Sequence, residues 1–96
     1  MAKAYWIGHM TVTDPAAYDR YRQANAAAFA RFGGRFLVRG GTQKPVEGRV
    51  HQRSVVIEFP DLDTALACYD SPEYRAAMAH RDGAARLDLV IVEGVP

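Results

Sequence analysis

Arg39 and Glu58 are the charged side chains in this chain to which chemistry is most readily assigned. Each sits in a short apolar run, Arg35-Phe-Leu-Val-Arg39 and Arg53-Ser-Val-Val-Ile-Glu-Phe59. A carboxylate in apolar surroundings acquires a raised pKa and can act as general acid or base, and an arginine can hold an anionic substrate. The commoner role of such a pair is a structural ion pair. His9 lies in a third run of apolar and aromatic residues and titrates near neutrality, which makes it a candidate base. Arg39, Glu58 and His9 are therefore the candidate catalytic residues, although a lone histidine more often packs or sits at a rim. Tyr18, Tyr21, Tyr69 and Tyr74 could line a cleft for a flat organic ligand, although aromatics at helical spacing are more often core. Asn25 falls on the same helical stripe and would either bond a ligand or satisfy a backbone group. These five are the candidate ligand-binding residues.

The remaining reactive side chains carry less. His51 falls in a loop and is expected in solvent. His80 and Arg81 fall near the end of a helix, where positive charge is favoured by the helix dipole. The three histidines show neither HxH nor HExxH spacing, so no metal site is expected. Cys68 is the single cysteine and has no cationic neighbour in sequence, so it reads as a small hydrophobe. The glycine pairs fit neither GxGxxG nor a Walker pattern.

Seven elements must position these groups. Ala4–Val12 is rich in aromatic and β-branched residues and predicts a strand. Thr13 or Asp14 can cap a helix that begins at Pro15 and runs along the stripe Tyr18, Tyr21, Asn25, Ala28, Phe29 and Phe32 to Gly33-Gly34. Strands follow at Arg35–Arg39 and Arg53–Phe59, joined by a Pro- and Gly-containing loop over 42–52. Asp61 can cap a second helix, and Ser71-Pro72-Glu73 is a fresh start signal that breaks it. Leu87–Val92 predicts the last strand. The order is βαββαβ within a single domain, 1–96.

Side chains alternate across a strand. Phe36, Val38, Val55, Ile57, Phe59, Leu87, Leu89 and Ile91 form one large apolar set, assigned to the face that the helices cover. The opposite set (Leu37, Arg39, Ser54, Val56, Glu58, Asp88, Val90 and Val92) is still mostly apolar. A four-stranded antiparallel sheet with one face in water should alternate cleanly, and two helices cover only one face. The second face therefore predicts a homodimer with identical faces paired. Its charges, Arg39 and Glu58 foremost, further predict that any pocket shares this partner surface.

Bulk properties exclude other classes. The chain has 96 residues and 49% hydrophobic content, with a net charge of +1 and no basic run to follow a phosphate backbone, so nucleic acid is not an expected partner. No apolar stretch is long enough to span a membrane, and the N-terminus does not read as a secretory signal. A cytoplasmic location is the default expectation.

Several blocks together carry a family resemblance. They are Val12-Thr-Asp-Pro-Ala-Ala-Tyr18, Phe32-Gly-Gly-Arg-Phe36, Arg39-Gly-Gly41, Val56-Ile-Glu-Phe-Pro60, Tyr69-Asp-Ser-Pro-Glu-Tyr74 and Val92-Glu-Gly94. In this order, over nearly the whole chain, they resemble the small bacterial family called domain of unknown function 1330. That family is similar to the dimeric α+β barrel superfamily, which has ferredoxin-like subunits and includes small monooxygenases, muconolactone isomerases and haem-dependent enzymes. The resemblance implies the fold and the dimer but supplies no settled reaction. Two functions stay open: a cofactor-independent isomerase or oxygenase acting on a small organic molecule, and a non-catalytic small-ligand-binding or stress-related dimer.

Overall fold

Each helix begins where a short polar side chain can take an orphaned backbone N–H. In the computed structural model, which describes residues 2–96, β1 spans Ala4–Val12, α1 Pro15–Arg31, β2 Arg35–Arg39, β3 Arg53–Phe59, α2 Leu62–Asp70, α3 Pro72–His80 and β4 Ala85–Glu93. Asp14 accepts from the Ala17 N–H at 3.2 Å with Pro15 in the first turn, and Asp61 accepts from the Thr64 N–H at 2.7 Å. At its other end α1 closes on Gly33, whose φ of 70° is a left-handed conformation that glycine adopts without strain. The Gly34 N–H then bonds the Phe29 carbonyl at 2.8 Å and the Gly33 N–H bonds Ala30 at 3.5 Å, the paired closure of a Schellman cap.

The expected βαββαβ order is observed. The sheet order is β2-β3-β1-β4 with every pairing antiparallel. The last strand is longer than expected, because Ala85 and Arg86 already pair with Val12 and Thr11. The predicted loop is irregular between Gly41 and Gln52, and is tied down by Gln43, which donates to the His51 carbonyl at 2.7 Å and accepts from Ser54 Oγ at 2.7 Å.

All three helices lie on one side of the sheet, against Trp6, Met10, Ile57 and Phe59. Trp6 is the centre of this core. Its ring meets Phe29 and Tyr74 edge-on at 5.2 and 4.9 Å and lies 5.4 Å from Phe59. Its indole N–H donates to the Ala65 carbonyl at 3.0 Å, so burial leaves no donor unpaired. One side chain thus ties β1 to all three helices.

The other face has no helix over it. Ile7 pairs with Val56 on one side and Val90 on the other, and Val56 pairs with Val38. These four residues form an apolar band across the whole sheet, with Val90 and Val38 left 53% and 41% exposed. The face expected to be apolar without a cover is therefore present, but its membership differs from the sequence reading. The β2–β3 register slips by one residue between Phe36 and Val38, so Leu37 is the extra residue of a bulge. Beyond it the alternation inverts. Val38 moves to the open face opposite Val56, and Arg39 moves to the helix face opposite Val55. The placing of Arg39 with Glu58 on one face is thereby corrected.

Ser71 joins the two short helices. It is buried, its Oγ donates to the Cys68 carbonyl at 2.7 Å and accepts from the Tyr74 N–H at 3.1 Å, and its backbone is extended between them. Replacing it with alanine leaves the buried Tyr74 N–H unpaired, while the Cys68 carbonyl keeps the Ser71 N–H at 3.2 Å, and should lower stability by about 1–2 kcal/mol in urea unfolding. A loss within error of zero would show that the helix break is held by Pro72 alone.

Candidate functional site

The cavity of this molecule lies between α1 and the helix-covered face of the sheet. Its volume is about 40 Å³, counted at the centres of the waters it could hold. About 10–15 Å³ on that measure suffices for one water, so there is room for a small group and not merely a packing defect. The helix supplies Tyr18, Tyr21, Arg22 and Asn25, which recur every three or four residues and so share one face. The sheet supplies Phe36 and Arg39 from β2 and Arg53, Val55 and Ile57 from β3. Trp6 and Gly8 of β1 lie beneath, and Tyr74 of α3 closes one wall. Gly8 helps to keep the space open: a Cβ there would only just touch Leu89 and Met10, at 3.5 Å each.

The polar groups of the cavity are unevenly satisfied. Tyr21 and Tyr74 share a hydrogen bond of 2.7 Å between hydroxyls, and Arg81 reaches the Tyr74 hydroxyl at 3.4 Å while lying over the Tyr21 ring. Burial, and then the neighbouring Tyr74 hydroxyl, push the Tyr21 pKa well above the ordinary tyrosine value, so it is a neutral hydroxyl at physiological pH. Burial also raises Tyr18, with Arg53 and Arg22 pulling the other way. Asn25 is 6% exposed and its Oδ1 has no partner among the described residues. Arg53 Nε is likewise buried without a partner, and its guanidinium lies so close to Gly40 that a Cβ there would collide with it. Arg39 lies over the Phe36 ring at 4.3 Å. A wider depression of about 380 Å³ outside the cavity shares Tyr18, Arg22 and Arg53 with it.

The sequence-predicted candidates divide between the two faces. Tyr18, Tyr21, Asn25, Tyr74 and Arg39 come together around the cavity. Tyr69 does not line it, but packs on Trp6 and Tyr74 beneath the Arg75 guanidinium. Glu58 is on the open face, where Lys3 Nζ lies 3.1 Å away and the Arg35 guanidinium 3.6 Å away. His9 is on that face too, with Nδ1 3.0 Å from Ser54 Oγ. The candidate catalytic trio therefore does not converge, and the cavity is on the opposite side of the sheet from the apolar band. His51, expected in solvent, is instead largely covered, held between Thr11 Oγ1 at 3.0 Å and Asp88 Oδ2 at 2.6 Å. Cys68 is fully buried and its thiol is pushed up to about 12, chiefly by desolvation, so it behaves as the expected hydrophobe.

Arg53, Arg22 and Gly8 were not singled out from the sequence. Arg53 was within reach, since it shares strand parity with Val55 and Ile57, and Arg22 stands one turn beyond Tyr18. Arg39 was selected for the wrong face, because nothing in Arg35-Phe-Leu-Val-Arg39 marks a bulge.

Solved structures of similar shape carry the same fold. A protein of unknown function from Rhodopseudomonas palustris superposes with a TM-score of 0.75 at 19% identity, over 99% of this chain and 84% of that one. SnoaB, a cofactor-independent oxygenase from Streptomyces nogalater, gives 0.65 at 17% identity, over 100% and 96%. A dimeric ferredoxin-like protein of unknown function from Thermobifida fusca gives 0.63 at 20% identity, over 99% and 92%. At these identities the likeness establishes the ferredoxin-like fold. No functionally curated protein matches the chain. The model of the family described as domain of unknown function 1330 matches residues 3–95, almost the whole chain, and the protein belongs to that family.

Proposed function

We propose that this protein is a homodimer in which each subunit binds a small organic molecule in the cavity beneath α1. The observation that carries the reading is Asn25 Oδ1. A buried acceptor without a partner is costly, by about 1–3 kcal/mol, unless something supplies a donor. Asn25 also belongs to the lining of an aromatic-walled space that Arg22, Arg39 and Arg53 border, which is the composition of a ligand site: mostly apolar walls with a few polar groups.

The dimer follows from the open face. The band Val38, Val56, Ile7 and Val90 would pair with its own copy about a two-fold axis. Description of the Thermobifida fusca protein as dimeric supports this. His9 and Glu58 then belong to the subunit interface or its rim, and the ligand site is independent of them.

A second reading, that the bound molecule is also chemically transformed, is favoured by Tyr21. A hydroxyl kept neutral by burial, next to Tyr74 and within a site edged by arginines, can stabilise negative charge developing on a bound carbonyl or phenol. Isomerisation and cofactor-independent oxygenation both pass through such an anion, and SnoaB offers a precedent on this fold.

Three outcomes test these readings. Glycine in a strand interior is about 0.5–1 kcal/mol less favourable than alanine. Gly8→Ala fits at ordinary contact distance, so it should stabilise the protein while narrowing the cavity. In a thermal-shift screen of small aromatic and carbonyl compounds, hits on the native protein should weaken several-fold on this variant; unchanged hits would place the ligand elsewhere. Sedimentation should give twice the subunit mass of 10.6 kDa for the native protein and a loss of dimer for Val56→Lys, which sets like charges face to face. A native monomer at micromolar concentration would overturn the dimer. If the second reading holds, mass spectrometry after aerobic incubation will show a hit compound converted, with conversion reduced in Tyr21→Phe.

A further inference from the structure

The depression that adjoins the cavity is the roomier of the two spaces, at about 380 Å³, a volume within the range of small-molecule sites. It opens between the first half of α1 and the ends of β1 and β3, with Gly40 beyond β2. Its charge is one-sided. Two arginines, Arg22 and Arg53, stand against one acid, Asp19, so a single positive charge is left over. Asp19 lies 3.6 Å from Arg22 and both side chains are exposed. An ion pair of that kind contributes little, so Arg22 is free to turn to a ligand. Arg53 has no carboxylate within 4.0 Å among the described residues.

Arg53 is also held in place. It leaves β3 on the helix-covered face, opposite Met10, and its guanidinium lies against the Gly40 backbone in space that a Cβ at that position would fill. Gly40, with φ of 67°, is in the left-handed region where glycine is unstrained. Nε of Arg53 is enclosed there without a partner. The charges of Arg53 and Arg22 both oppose the effect of burial on the Tyr18 hydroxyl, so both guanidinium groups lie about that hydroxyl. Gln52 is oriented as well: its Oε1 accepts from the Val12 N–H at 3.2 Å, which leaves the amide nitrogen as the end that can donate to a ligand. Val12, Pro15 and the Tyr18 ring supply apolar wall.

We propose that this depression binds a small monocarboxylate with an apolar body, its carboxylate between Arg53, Arg22 and the Gln52 amide and its body against Val12, Pro15 and the Tyr18 ring. The site lies outside the cavity beneath α1 and does not depend on the reading of that cavity. The balance of charge selects the class. A carboxylate neutralises the one charge in excess, a phosphate dianion brings a surplus negative charge beside Asp19, and a neutral amide brings none. A guanidinium already fixed against Gly40 loses less freedom on binding, and its forked donors match a carboxylate.

Titration of the isotope-labelled native protein at neutral pH with benzoate, benzamide and phenyl phosphate, followed by NMR, tests this. Benzoate should bind about tenfold or more tightly than benzamide, which lacks the charge, and more tightly than phenyl phosphate. Its saturable shifts should fall on the Gln52 side-chain amide and the Gly40 N–H. Arg53→Met should weaken benzoate about tenfold, and Arg22→Gln, at an exposed position of α1, several-fold. Asp19→Asn should narrow or reverse the preference over phenyl phosphate. Gly8 lines the cavity and not the depression, so Gly8→Ala should leave benzoate binding within about twofold of native. Equal binding of benzoate and benzamide, tighter binding of phenyl phosphate, or no binding of any of the three would overturn the proposal and leave the reading of the cavity untouched. Benzoate that shifts Trp6, Phe36 and Asn25 instead, and that is weakened by Gly8→Ala, would overturn the proposal while supporting that reading. The comparison of benzoate with benzamide needs only the native protein, so it decides the matter even if Arg53→Met does not fold.

Discussion

The arrangement of this protein turns on one extra residue in an edge strand. Between Phe36 and Val38 the pairing of β2 with β3 slips, and every side chain after Leu37 changes face. Without that slip Leu37 would stand opposite Val56 in the apolar band, and Arg39 would stand opposite Ser54 on the open side with Glu58 and Arg35. With it, Val38 takes the place opposite Val56 and Arg39 joins Arg53 on the side of α1. Bulges are common at sheet edges and next to active sites because they re-aim a side chain without disturbing the rest of the sheet. Here a single bulge carries Arg39 across the sheet to the side of Arg22 and Arg53 and still leaves an apolar residue, Val38, opposite Val56.

Beneath the cavity, Trp6 does the corresponding work in the core. Its contacts with Phe29, Phe59 and Tyr74 and its bond to the Ala65 carbonyl set α1 and α3 at a fixed height over β1. The Tyr21–Tyr74 bond then ties the two helices together above it. Between these two layers Gly8 withholds a side chain. The space left over is therefore bounded by groups whose own positions are determined by packing, which is how a small subunit can hold a site on rigid elements. The two faces of the sheet divide the labour: in the proposed dimer one associates and the other binds.

Most of the fold was legible in the sequence because its signals are local. Asp14-Pro15, Gly33-Gly34, Asp61 and Ser71-Pro72 each act within a few residues, and each end or start lies where those signals place it. The lack of clean alternation in β3 and β4 likewise showed that the second sheet face was apolar. The site was only half legible. Tyr18, Tyr21 and Asn25 were found together, since helical spacing alone puts them on one face. Arg39 and Glu58 were paired wrongly, since strand parity holds only while the register does, and an extra residue without glycine leaves no mark in composition. His51 was misjudged for another reason: its partners, Thr11 and Asp88, are brought to it by strands distant in sequence. Long-range pairing of this kind is visible only once the sheet order is known.

The central claim is that ligand and partner occupy opposite faces of one sheet. A crystal structure of the protein grown with the strongest hit of the thermal-shift screen tests it most directly. The account predicts ligand density beneath α1, in contact with Arg39, Arg53 and Asn25, in a dimer that buries Ile7, Val56 and Val90 against their copies. Density lodged between the two sheets against His9 and Glu58, with the space under α1 unchanged, would contradict it.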